Sequence, residues 1–351
     1  SVFYGFNSLG RFSNRLHRND KPENPAMMNK TAWVRRLLLT FCTVLCPAAA
    51  IAQFQEEQSS GGSQLGPAKT QRWRCGVEIQ ALGGPCQGIV GYIPFPIDWP
   101  EQTVRIVEEE ITKSAKVSYE TVDDTVKLMV VRIPRLNNNE EAKALVTFEI
   151  KRHVLLAPTD TSRYRLPDKK KLDRRVLPYL AASPKIESDA PRIKTLAKEI
   201  PAEKEGAWEK VEAIYDWVRE HVQYKEGPLK GALAALKDGT GDCEELASLF
   251  IAICRAADIP ARTVWVPGHC YAEFYLVDAD GKGHWFPCQA AGTRAFGEIP
   301  ELRPILQKGD SFRPPWDKRD RQRYLAEKLI GSAVPGGGSP KVRFVRELLA
   351  E

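Results

Sequence analysis

Two short stretches carry side chains that could do chemistry together. "GTGDCEELASLFIAICRAADIPAR" (239–262) holds Cys243, and "HCYAEFYLV" (269–277) opens with His269. A thiol paired with an imidazole is the minimum constellation for acyl transfer through a covalent intermediate. The local pattern places the thiol at a helix start. Gly239 and Gly241 allow a sharp approach, Asp242 suits an N-cap, and Glu245 falls three residues later, where it can reach back to the cap. Cys243 is then the first helical residue, near unpaired N–H groups and the positive end of the dipole. The dipole supplies about 0.3–1 kcal/mol, and Glu244 and Glu245 oppose thiolate formation, so activation requires a basic partner. Without one, Cys243 reads as an inert buried thiol at a helix start.

The elements that must position these groups follow from periodicity. Leu246, Leu249, Phe250, Ile253 and Ala257 recur at helical spacing after Cys243, as do Ile193, Leu196, Ala197 and Ile200 after Pro191, and Trp208, Val211, Ile214, Tyr215, Val218 and Val222 after them. Downstream, 263–266, 269–277 and 284–288 read as strands, with a turn at Asp280-Gly281. On the middle strand His269, Tyr271, Glu273 and Tyr275 share one face and Cys270 points to the other. Cys270 and Cys254 read as packing. Tyr224, Trp265, Tyr271 and Trp285 are candidate walls of an acyl-substrate groove, with core packing the alternative for each. Further upstream, "TVRIVEEEI", "AKVSYETV", "TVKLMVVRI" and "KALVTFEIKRHVLL" alternate or cluster β-branched and aromatic residues between turn residues, the pattern of a small all-β sandwich.

The ordered blocks resemble the transglutaminase-like superfamily. "GDCEELASLFIAICRAADIPAR" is similar to the family's nucleophile block and "HCYAEFYL" to its histidine strand. "YDWVREHVQY" and "KGALAALKDGTGDC" resemble the helix and approach that precede the nucleophile. The resemblance spans roughly 180–300. It implies an α+β, papain-like core in which helices pack on an antiparallel sheet, Cys243 attacks an acyl carbon, and His269 takes and returns the proton. The Cys243 N–H would be the first donor to the oxyanion. In "GHWFPCQAAG" the position of the family's aspartate is Gln289. An amide can accept the imidazole's Nδ1–H and hold its tautomer, but brings no charge to stabilise imidazolium. The alternatives, Asp278 and Asp280, read as turn residues. Two functions follow. One is a thiol enzyme acting on peptide or isopeptide bonds through a Cys243 thioester, with hydrolysis favoured over cross-linking because water needs no second site. The other is an inactive binding module for cell-envelope peptide or a protein partner.

"MMNKTAWVRRLLLTFCTVLCPAAAIAQ" reads as a secretory signal peptide, with Met27 or Met28 as its start and cleavage after Ala52. Its apolar run is short for a membrane span, so an exported protein, periplasmic or extracellular, is expected, membrane-anchored only if the leader is retained. Residues 1–52 hold seven of the 51 basic and two of the 45 acidic residues, leaving 44 and 43, a net charge of about +1. No nucleic-acid footprint follows from that balance. The expected organisation is leader 1–52, flexible linker 53–73, β domain 74–157, linker 158–189, catalytic core 190–300 and a C-terminal extension 301–351 packing on the core. Six cysteines lie beyond the leader. Cys75 and Cys86 could form a bridge or be a buried pair. No Cys-x-x-Cys occurs, and His284 with Cys288 is the single ligand-like spacing, so neither a metal nor another cofactor is expected.

Overall fold

The computed structural model describes residues 62–334 and 337–349; the expected signal peptide and the first part of the expected linker lie outside them. Among the described residues no helix is long and apolar enough to cross a membrane.

Six strands open the fold: β1 (Gln64–Leu82), β2 (Cys86–Phe95), β3 (Gln102–Ile111), β4 (Lys116–Val122), β5 (Val126–Leu136) and β6 (Glu141–Leu156). They split between two antiparallel sheets. Apolar residues alternate inward, so Trp73, Val77 and Ile79 of one sheet meet Ile89, Ile93 and Met129 of the other in a single core. The sandwich begins earlier than composition suggests. Gln64–Thr70 are mostly exposed, yet their backbone pairs with β6; composition reports side chains, whereas pairing is made by the main chain.

Four helices follow: α1 (Pro191–Glu199), α2 (Ala207–His221), α3 (Ala232–Asp238) and α4 (Cys243–Ala256), with a two-residue parallel pair, β7 (Gln223–Tyr224) and β8 (Thr240–Gly241), closing the approach to α4. Every residue of α4 from Glu245 to Arg255 is buried, the pattern of a central helix. It lies against a five-stranded antiparallel sheet ordered β12-β11-β10-β9-β13: β9 (Ala261–Val266), β10 (His269–Val277), β11 (Gly283–Gln289), β12 (Ala295–Phe296) and β13 (Gln307–Lys308). Phe274, Phe286 and Cys288 face the helices and join Trp208, Tyr215 and Phe250 in the main core. The segment 158–189 is no loose connector, since Tyr164 and Ile186 are part of that core.

The last segment departs from expectation. Residues 301–325 lie between the two halves: β13 pairs with β9, while Phe312 and Leu325 cover the outer face of the sheet containing β5. Tyr324, half-buried, packs its ring against Trp265. The chain then returns to the β region as β14 (Lys328–Ala333) on β2 and β15 (Ser339–Leu349) on β1. The C-terminal extension therefore completes the sandwich instead of packing wholly on the core, because β1 and β2 would otherwise be open sheet edges.

At the junction, Lys308 is almost fully buried. Its Nζ sits 2.7 Å from Glu101 of the β region and 2.5 Å from Glu273 of the core, and lies over the Trp99 ring. Arg262 closes the network, 2.7 Å from Glu273. Cys75 and Cys86 are unbridged; the Cys86 thiol donates to the Gly338 carbonyl at 3.2 Å.

Candidate active site

The start of α4 is built by its acids. The Glu244 N–H donates to Asp242 Oδ1 at 2.7 Å, and the Asp242 N–H donates to Glu245 Oε2 at 3.2 Å. Glu245 also accepts from the backbone N–H groups of Lys230 and Gly231 at 2.9 and 3.3 Å, tying the approach loop to the helix. A side chain at Gly241 would meet Glu245 Cβ at 2.4 Å, so only glycine lets the chain enter this close. Burial, then the neighbouring Glu245 carboxylate, pushes Asp242 up to about 7. The Cys243 N–H is among the first-turn amides that no helical carbonyl can reach.

His269 is the first residue of β10. The hairpin from β9 turns on Pro267 and Gly268, the latter at φ 72°, which fits the glycine position of a type II turn. Arg303 Nη1 donates to the Pro267 carbonyl at 2.8 Å and its other nitrogen pairs with Glu301, clamping that turn from the C-terminal segment. The His269 ring lies between the sulfur of Cys243 and the side chain of Gln289, whose Oε1 is 3.0 Å from Nε2. The amide thus meets Nε2, not the Nδ1 that the sequence suggested. Gln289 is itself held from α2: the Tyr215 hydroxyl donates to its carbonyl at 2.7 Å and accepts from the Ala295 N–H at 2.9 Å. Arg219 donates to the carbonyls of Ala290 and Gly292 at 2.7 and 2.9 Å.

The Cys243 thiol is drawn down to about 4 from its ordinary 9.0. A hydrogen bond from the Cys270 thiol is the largest cause; burial opposes it, and the hydrogen bond and charge of His269 and the Cys270 N–H add to the lowering. Cys270, 2% exposed, packs with Ala247 and Trp265 directly behind Cys243. The contact with Cys243, together with burial, holds the Cys270 thiol well above its usual range. Alternation along β10 gives the signal that finds Cys270: it faces the side on which α4 packs, and Cys243 opens α4. Glu301 and Arg303 left no trace of this kind, since they come from a segment with no motif, and Arg219 lies within "YDWVREHVQY", where the apolar positions alone carried the signal.

The four candidate groove residues separate. Tyr224, 53% exposed, pairs with Gly241, and burial followed by the charge of nearby Cys243 raises its phenol. Trp265 lies one layer behind the sulfur, its ring against Tyr324 and its Nε1–H donating to the Gly309 carbonyl at 2.8 Å. Tyr271 is not a groove wall: it is 1% exposed, packed with Leu155, Ile299 and Ile305, and its hydroxyl meets Arg152. The β region covers the very face of β10 that alternation left open. Trp285 is likewise engaged elsewhere, under the Arg262 guanidinium at 4.0 Å and against Tyr179 and Tyr275. Asp278 accepts from the Asp280 and Lys282 N–H groups and pairs with His284 at 2.8 Å, a turn of its own apart from His269.

Residues 194–290 match the model of the transglutaminase-like superfamily. Among solved structures, the chain is similar to a protein described as a candidate cysteine protease from Cytophaga hutchinsonii, at 17% identity and a TM-score of 0.52, covering 81% of this chain and 94% of that one. A looser likeness, with 14% identity and a TM-score of 0.31, links 62% of this chain to 89% of the periplasmic domain of TgpA from Pseudomonas aeruginosa. No curated protein matches the sequence. Motif order, family model and fold agree that residues 194–290 form a transglutaminase-like core.

Proposed function

We propose that the protein is a thiol enzyme that opens peptide or isopeptide amide bonds through a thioester on Cys243. The observation that carries this reading is the contact series Cys243, His269, Gln289: a sulfur at a helix start, an imidazole against it, and an amide oxygen 3.0 Å from the ring's Nε2. The thiolate attacks the acyl carbon and the carbonyl pair moves onto oxygen, to which the Cys243 N–H would donate. Collapse expels the amine, to which His269 gives its proton. Water, deprotonated by His269, then breaks the thioester and returns free Cys243 with a carboxylic acid; an amine in place of water gives cross-linking. Hydrolysis is favoured because it needs no second binding site. The polarity of Gln289 supports orientation of the ring without a buried negative charge. Export to the periplasm or beyond, as the leader indicates, would place peptide or protein substrates within reach.

The test is intact-mass spectrometry of the protein quenched in acid after mixing with a library of short peptides and γ-glutamyl isopeptides. A mass increase on Cys243, discharged by water and absent in Cys243→Ser, is expected. A product scan that finds neither adduct nor cleaved peptide, with Cys243 unmodified throughout, would leave a binding module as the surviving reading.

A further inference from the structure

Beyond donating to Cys243, the buried Cys270 thiol seated behind that sulfur takes no part in the steps of acyl transfer. Cys243 is half-buried and so reachable from solvent, is drawn down into the thiolate range, and has a second thiol already in contact. Helix α4 packs on strand β10, and Cys243 and Ala247 of the helix share one cluster with Cys270 of the strand. A reactive, accessible thiolate beside a resolving thiol is the arrangement that converts oxidation into a reversible bond. The other thiols of the core, Cys254 and Cys288, are fully buried among the aliphatic and aromatic side chains of the main core.

We infer that Cys243 and Cys270 are a reversible disulfide site, closed by hydroperoxide and opened by thiol reductants. In the first step the Cys243 thiolate attacks the outer oxygen of a hydroperoxide. The O–O bond breaks, an S–O bond forms, and the released alkoxide or hydroxide takes a proton, giving Cys243 sulfenic acid. In the second step the Cys270 sulfur attacks that sulfenic sulfur. Its proton leaves with the hydroxide as water, and the S–S bond forms. Two electrons pass from the two thiols to the peroxide. The bond removes the nucleophile from use while protecting it from irreversible oxidation to sulfinic acid.

Mass spectrometry of the reduced full chain treated with a small excess of hydrogen peroxide tests this directly, without any substrate. The expected result is a loss of about 2 Da, with tryptic peptide 238–255 joined to peptide 263–282 and both released by dithiothreitol. Because 238–255 also holds Cys254, the bond should persist in Cys254→Ser. In Cys270→Ser the same treatment should instead add about 32 Da to Cys243, as sulfinic acid that dithiothreitol does not remove. Wild-type protein that gains the same 32 Da as quickly, or that ends with both thiols free while the peroxide is consumed elsewhere, would overturn the inference. Neither outcome depends on whether the protein cleaves a peptide bond.

Discussion

At the scale of single residues, the site works by surrounding one sulfur with donors. His269, the Cys270 thiol and the Cys270 N–H all point at Cys243, and together they outweigh its burial. Gln289 acts one step away, through the ring. Gln289→Ala should therefore lower kcat by about 10²-fold, the scale expected when a catalytic group loses its orientation, and leave KM nearly unchanged. Gln289→Glu keeps an oxygen at the same reach and should hold kcat within about tenfold of wild type. Steady-state kinetics on any peptide that acylates Cys243 measures both. The Cys-then-His order was legible in the sequence because a helix cap and a strand alternation are local patterns. The exclusion of Tyr271 and Trp285 was not, since local alternation says which residues share a face but not what covers that face. Leu155, Ile299 and Ile305 cover Tyr271, and none is near it in sequence.

At the scale of elements, α4 is held at both ends by buried charge. At its start Glu245, 2% exposed, joins three backbone N–H groups. At its end Arg255 makes a two-pronged pair with Asp310, at 2.8 and 2.9 Å, with both side chains essentially inaccessible. Removing one partner of such a pair strands the other charge. Asp310→Ala should lower the unfolding free energy by about 3–5 kcal/mol, read from urea denaturation. Glu245→Ala should cost about 2 kcal/mol through lost capping and orphaned amides, and slow Cys243 alkylation because the helix start loosens. Helices α1, α2 and α4 were readable from their apolar period and α4 also from its cap, whereas α3 was signalled only through the family resemblance. Asp310 was not, because its partner lies 55 positions away in a stretch without periodicity.

At the scale of the whole molecule, the C-terminal strands close the sandwich that the N-terminal strands begin. Deleting residues 328–351 exposes β1 and β2 as edges. It should lower the melting temperature by at least about 5 °C and open 64–156 to proteolysis, which limited trypsin digestion reports. The junction network predicts acid sensitivity of a defined sign. Burial raises the Glu273 carboxyl, but Lys308 and Arg262 outweigh it and hold it at about 2, below its ordinary 4.5. The folded chain therefore binds fewer protons there than the unfolded chain, so the stabilisation is complete above pH 4.5 and lost as pH falls towards 2. Thermal unfolding followed across that window should show the decline, and Glu273→Gln should flatten it. An all-β region followed by helices and then strands was readable from the change of period along the chain, and the packing of those helices on a sheet from the family resemblance. The return of 328–349 to that region was not, because pairing between the two ends leaves no mark in either segment alone.

The account rests on Cys243 being a thiolate made by its neighbours, and the rate of its alkylation by iodoacetamide against pH tests that most directly. Mass spectrometry of peptide 238–255 follows Cys243 separately from Cys254. In wild-type protein the rate should stay flat from pH 8 down to about 5, in keeping with a thiol drawn down to about 4. In His269→Ala it should fall at least tenfold at pH 6. A wild-type rate that drops about tenfold with each pH unit below 8, as an ordinary thiol does, and that His269→Ala leaves unchanged, would contradict the account.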